Sequence, residues 1–153
     1  MSIKEKLWKI HERYIRRTKP EANISMMKIR LTKITKRSRR MMGCDQRKIY
    51  IHSRSLKHLY DKKPAEEFDF LIDHLADIIR APDILYRNKN NKRGNFCIVK
   101  KIQNSRYITI VEVSSRQTPD EEINVVTAFR MRDERYLRNY DLLRSWRDGA
   151  HSS

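Results

Sequence analysis

A change of hydrophobic period near residue 82 constrains this chain more than any other feature. Before it, Phe68, Leu71, Ile72, Leu75 and Ile79 recur at helical spacing. Pro64 suits the first turn, Glu66, Glu67 and Asp69 suit the positive end of the helix, and Ala81-Pro82 stops it. After it, apolar residues gather in four short runs at 84–87, 96–102, 107–113 and 123–129, with strand character. The connections at 88–95 (with Gly94), 103–106 and 114–122 (around Pro119) are turn-rich and favour an antiparallel meander. A last helix is expected over about 133–146, burying Tyr136, Leu137, Tyr140, Leu143 and Trp146. The expected class is α+β: N-terminal helices followed by a four-stranded antiparallel sheet and a C-terminal helix.

Ahead of this frame, residues 3–17 place Ile3, Leu7, Ile10 and Tyr14 on one side of a helix that Lys19-Pro20 ends. Residues 26–48 hold nine Lys or Arg against Asp45 alone, with Met26, Met27, Ile29, Leu31 and Ile34 interspersed. That stretch reads either as an irregular basic arm or as a short strand or helix. Residues 48–52 have strand character, and Ser53 or Ser55 can cap a short helix carrying Leu56, Leu59 and Tyr60. The expected organisation is a basic N-terminal extension with an amphipathic helix over 1–46 and a compact domain over 47–148.

Charge narrows the partners. The 153 residues carry a net charge of +16, far beyond what solubility needs, so the natural partner is a polyanion. Nucleic acid comes first, because phosphate neutralisation and counterion release supply most of its non-specific affinity; an anionic membrane surface comes second. The cations are unevenly placed. Residues 84–111 contain seven Lys or Arg and no acid, while the helix from Glu66 to Asp77 is acidic. No apolar run is long enough to span a membrane and no signal-peptide core is present, so the expected location is cytoplasmic. Cys44 and Cys97 form no CxxC pair, and with His52, His58 and His74 they show no recognised ligand spacing. Neither metal nor cofactor is expected, and there is no Gly-rich phosphate loop or paired-carboxylate motif.

Four strings carry a family resemblance over residues 47–143. They are Ser55-Leu56-Lys57-His58-Leu59, Ile79-Arg80-Ala81-Pro82-Asp83, Cys97-Ile98-Val99-Lys100-Lys101 and Val125-Val126-Thr127-Ala128-Phe129. Together they resemble the phage members of the barnase, EndoU, colicin and RelE-like nuclease group. The resemblance implies two helices before a four-stranded antiparallel sheet, and metal-independent RNA cleavage, often as a toxin. It places the family's helix histidine on His58, its strand lysine on Lys100 and its late-strand hydroxyl on Thr127. The chain departs from such sequences after His58. Where a second histidine or basic residue stands a turn later, it has Lys62 and Lys63, with His52 available from a different element.

The chemistry such a site needs is a base for the 2′-hydroxyl proton, a cation for the phosphorane and a proton for the 5′-oxygen. Histidine, lysine and threonine can divide these tasks, which makes His58, Lys100 and Thr127 the candidate catalytic set. Arg37, Arg39, Arg40, Arg54, Lys101, Arg130 and His52 are the candidate RNA-binding residues. Structural explanations stand beside each: a histidine at the rim of a core, an edge lysine, a strand-forming threonine. The expected partners are RNA and an acidic antitoxin or immunity protein. The competing function is a non-catalytic nucleic-acid-binding protein of a phage or mobile element. A third reading makes the helix at 3–17 a membrane-surface or partner-docking segment.

Overall fold

The helical period read from residue 65 is realised as a 16-residue helix, Ala65–Arg80, in a computed structural model that describes residues 2–88, 96–114 and 122–146. It is the fourth helix, α4. Before it come α1 (Ile3–Ile10), α2 (Lys36–Met42) and α3 (Ser53–Lys62), and α1 passes into a π-helical turn over His11–Ile15. Each start has a local cause where a capping side chain is present. Ser2 Oγ accepts from Glu5 N at 3.1 Å, and Thr35 Oγ1 accepts from Ser38 N at 3.0 Å. Gly43, at φ 69°, closes α2 in the left-handed conformation that glycine adopts without penalty.

The strands are β1 (Lys28–Lys33), β2 (Lys48–His52), β3 (Ile84–Asn88), β4 (Phe96–Ile102), β5 (Ser105–Ser114), β6 (Glu122–Arg130) and β7 (Tyr140–Ser145). The four runs read from the sequence are β3 to β6, and they pair consecutively and antiparallel. The four-stranded antiparallel expectation is nevertheless corrected. Among the described residues the sheet has seven strands in the order β1-β2-β6-β5-β4-β3-β7, and it is mixed, because β2 runs parallel to β6. β1 comes from the basic stretch over 26–48: Ile29 and Leu31 are buried, while Lys28 and Arg30, which alternate with them, are exposed.

The C-terminal helix is also corrected. Residues 134–139 form a 3-10 turn, capped by the Asp133 carboxylate accepting from Arg135 N, and the chain continues as β7 against β3. The open edge of β3 needs partners for its backbone groups, and a strand supplies them where a helix cannot. The connections expected at 88–95 and 114–122 fall, at 89–95 and 115–121, outside the described residues.

Helices cover one face of the sheet. Alternate strand residues, including Ile51, Leu85, Ile98, Val111 and Val125, join Leu71, Leu75 and Ile78 of α4 in one core. The segment 1–46 enters that core through Leu7, Ile15, Ile29, Leu31, Ile34 and Met42, and the Trp8 indole donates to Asp73 on α4 at 2.8 Å. The opposite, outer face carries a smaller cluster of Cys97, Val99, Ile108 and Ile110, over which Phe129, Leu137 and Tyr140 pack. Cys44 and Cys97 are free and buried, and burial pushes the Cys97 thiol up to about 12. Among the described residues no helix is long and apolar enough to cross a membrane.

Candidate active site

The outer face is apolar over β3, β4, the first part of β5 and Phe129 of β6, and polar over β1, β2 and the part of β6 around Asn124. In β1 and β2 the buried residues Ile29, Leu31, Ile49 and Ile51 point to the helices, so Lys28, Arg30, Lys48, Tyr50 and His52 project outward. Strand pairing sets them in rows. Arg30 lies opposite Tyr50, Tyr50 beside Asn124, and Asn124 opposite Glu112, a polar row across four strands. Lys28 lies opposite His52, its ammonium reaches Glu122 at 2.5 Å, and it passes 4.7 Å from the centroid of the Tyr50 ring. The Lys28 hydrogen bond, aided by Asn124, holds the Glu122 carboxyl below its usual range. Two polar atoms on this face, His52 Nδ1 and Asn124 Oδ1, are buried without a hydrogen-bond partner. Buried polar atoms are seldom left so, and these two are suited to receive polar groups of a bound molecule.

β2 pairs with β6 at Ile49 and Tyr50, and α3, starting at the next residue after His52, packs on β6. Its end also reaches the outer face, because the Lys63 ammonium lies 5.2 Å over the Phe129 ring. α3 buries Ser53, Leu56, Lys57 and Leu59 and exposes Arg54 and His58, which stand one helical turn apart. On β6 a bulge at Val126 changes the facing of the strand: Val125 pairs with Val111 and Thr127 with Ile110. Thr127 therefore shares the outer face with Phe129, and not the face of Val125. His52 and Thr127 thus lie on the outer face, at the end of β2 and in the second half of β6, while Arg54 and His58 stand on the exposed side of α3, the helix that follows His52 and packs on β6.

Lys100 is placed elsewhere. It alternates with Phe96, Ile98 and Ile102 on the helix-facing side of β4, and its ammonium donates to the Ala81 carbonyl just past α4 at 2.7 Å. Lys100 and Thr127 thus occupy opposite faces of the sheet. Lys101 and Arg130 meet at the far end of β4 and β6, in a cleft of about 440 Å³ shared with Arg106, Arg132 and Glu134. Nearby, Glu67 on α4 accepts from Arg130 N at 3.0 Å and from the Arg132 guanidinium at 2.5 Å. Burial pushes the Glu67 carboxyl up, but these bonds outweigh it and hold the group below its usual range, an ionised clamp between α4 and the end of β6. Arg37 and Arg40 line a separate cleft on α2, while Arg39 is half-buried and directed at the Cys44 carbonyl, 3.4 Å away.

Arg30, Tyr50 and Asn124 were not singled out in the sequence. The alternation of Lys28-Ile29-Arg30-Leu31 with Lys48-Ile49-Tyr50-Ile51 was the available signal, masked in β1 by the density of charge around it. Among the described residues no group of three or more His, Cys, Asp or Glu side chains is placed to hold a metal ion.

Residues 29–138, from β1 through the 3-10 turn, match the model of the family described as phage-Barnase-EndoU-ColicinE5/D-RelE like nuclease3. No curated protein and no solved structure matches the chain.

Proposed function

The chain belongs to the phage-type barnase, EndoU, colicin and RelE-like nuclease family, and on that footing we propose that it is a metal-independent endoribonuclease that acts as a toxin in the cytoplasm. The observation that supports the chemistry is the polar half of the outer face, where His52, with its orphaned Nδ1, and Thr127 stand near the row headed by Arg30, and where α3, carrying Arg54 and His58 on its exposed side, follows directly on His52 and packs on β6. A histidine can take or give a proton near neutral pH, and two of them can divide the roles of base and acid.

In the proposed reaction one of His58 and His52 accepts the 2′-hydroxyl proton. The 2′-oxygen then bonds to phosphorus, the bond from phosphorus to the 5′-oxygen breaks, and the other histidine gives its proton to that leaving oxygen. The products are a 2′,3′-cyclic phosphate and a free 5′-hydroxyl, so atoms and charge balance without an added reactant. Arg54 and Arg30 would stabilise the charge on the phosphorane, and the Thr127 hydroxyl would position a phosphate oxygen. Lys100, bound to the Ala81 carbonyl on the other face, has no part in this scheme.

The test is incubation of the purified chain with total RNA and tRNA in excess chelator, with end-mapping of the products. Fragments ending in cyclic phosphate support the proposal. Intact RNA that is nevertheless bound would overturn it in favour of a non-catalytic RNA-binding protein. Growth arrest on induced expression, relieved by His58→Ala, tests the toxin role.

A further inference from the structure

On the helical side of the molecule, α2, the turn after α4 and the residue after β7 enclose a cleft of about 690 Å³. Its walls include Lys36, Arg37, Arg40, Arg47, Arg80 and Trp146, and among the described residues no acidic side chain lines it. Its parts are held in place. α2 is capped at both ends and buries Ser38 and Met42, which turns Arg37 and Arg40, three apart, outward on one side. Arg47 Nε donates to the Ile34 carbonyl at 3.0 Å, and Arg80 is braced by Asp77 at 2.8 Å. The Trp146 backbone donates to the Asp83 carbonyl at 2.7 Å, its ring packs in part against the core, and the Arg144 guanidinium stands 5.8 Å from the ring centroid.

We infer that this cleft is a second nucleic-acid site, which takes an unpaired stretch of RNA with its phosphates on the arginines and a base stacked on Trp146. The inference rests on the ribonuclease reading for the identity of the polymer, not for the existence of the site. Five cations, of which Arg80 alone is shown paired with an acid, select a polyanion. An indole among guanidinium groups selects a flat π surface, which an unpaired base presents and a duplex withholds. The volume is in the range of a small-molecule pocket and suits a nucleotide or two. An acidic protein partner is the less favoured occupant, because the apolar part of these walls, Ala81, Pro82 and Trp146, is far smaller than the apolar centre of a stable protein interface. The cleft lies on the opposite side of the sheet from His52 and Thr127, so one RNA can reach both only by passing around the edge of the domain. The substrate is then longer than the few nucleotides at the cleavage point, and the site acts on capture.

The full chain is titrated with a 20-nucleotide single-stranded RNA and with a duplex of the same length, by anisotropy and by tryptophan fluorescence. The parent should bind the single strand more tightly, with quenching of the indole signal. Trp146→Leu should weaken single-strand binding about tenfold, abolish most of the quenching and leave duplex binding unchanged; Trp146→Phe, which keeps a ring in the core, should recover much of the loss. Arg37→Ala with Arg40→Ala should weaken both ligands and flatten the salt dependence by about two in slope. In cleavage assays these changes should appear in KM and not in kcat. Equal losses on single strand and duplex for Trp146→Leu, or a loss confined to kcat, would overturn the inference. If cleavage is normal and the cleft variants bind like the parent, the cleft assignment fails and the ribonuclease stands; if binding follows the cleft but no RNA is cut, the reverse holds.

Discussion

Lys57 on α3 places its ammonium 2.5 Å from the Asp61 carboxylate one turn later, with about one twentieth of either side chain exposed. The same ammonium donates to the Lys19 carbonyl at 2.7 Å, and Asp61 accepts from Glu21 N at 2.9 Å. The pair therefore fastens the segment between the π-helical turn and β1 onto the helix that carries His58. Asp61→Asn would leave a buried ammonium without its countercharge, a loss of about 3 kcal/mol. For a chain of this length that lowers Tm by roughly 6–12 °C, measurable by calorimetry. An unchanged Tm would show that the pair contributes nothing net.

The same group sets an acid limit. Burial pushes the Asp61 carboxyl up, but the hydrogen bonds from Lys57 and Glu21 N outweigh it and hold the group below its ordinary 3.8. Its contribution is complete above about pH 4 and is lost as pH falls through the depressed folded value, because the unfolded chain takes up the proton first. Urea midpoints measured from pH 6 down to pH 2 should fall more steeply in the parent than in Asp61→Asn. Parallel curves would contradict the assignment.

Under the proposed reaction, turnover should depend on His52, His58 and Thr127. His58→Ala and His52→Ala are each expected to lower kcat by about a hundredfold or more, the usual weight of a general acid or base. Thr127→Val keeps the strand and removes the hydroxyl, for a loss of about tenfold. Lys100→Met should leave kcat within about twofold and cost about 1 kcal/mol of stability through the lost bond to Ala81. A large loss of kcat in Lys100→Met with normal folding would return that lysine to the chemistry.

What could be read in advance follows the periodicity. α4 and β3 to β6 were legible because their apolar residues repeat cleanly at 3.6 or 2. β1 was not, because Lys28, Arg30 and Lys33 around Ile29 and Leu31 make a short strand resemble a basic arm. β7 was not, because Tyr136, Leu137, Tyr140 and Leu143 stand at helical spacing while packing on two different clusters: Leu137 and Tyr140 on the outer face, Leu143 under the helices. The bulge at Val126 left no mark in composition, yet it decides which face Thr127 joins. The family resemblance put Lys100 among the site candidates, and sequence alone does not tell a strand lysine that meets a phosphate from one that, like Lys100, donates to a helix-end carbonyl.

Arg30 supplies the most direct test of the outer face as the place where phosphate is held. It is exposed in the middle of β1, opposite Tyr50, and heads the row that ends at Asn124 and Glu112. Arg30→Ala should remove one phosphate contact, flattening the slope of log K against log salt by about one and lowering kcat/KM by about tenfold or more. Arg30→Lys separates charge from geometry: a lysine restores the salt slope but offers a point charge where the guanidinium offers a planar fork, so kcat should recover only in part. Cleavage by the two variants is compared at two salt concentrations with RNA both below and above KM. If Arg30→Lys restores kcat in full, the row acts only through its field, and if Arg30→Ala changes neither slope nor rate, the phosphate is bound elsewhere.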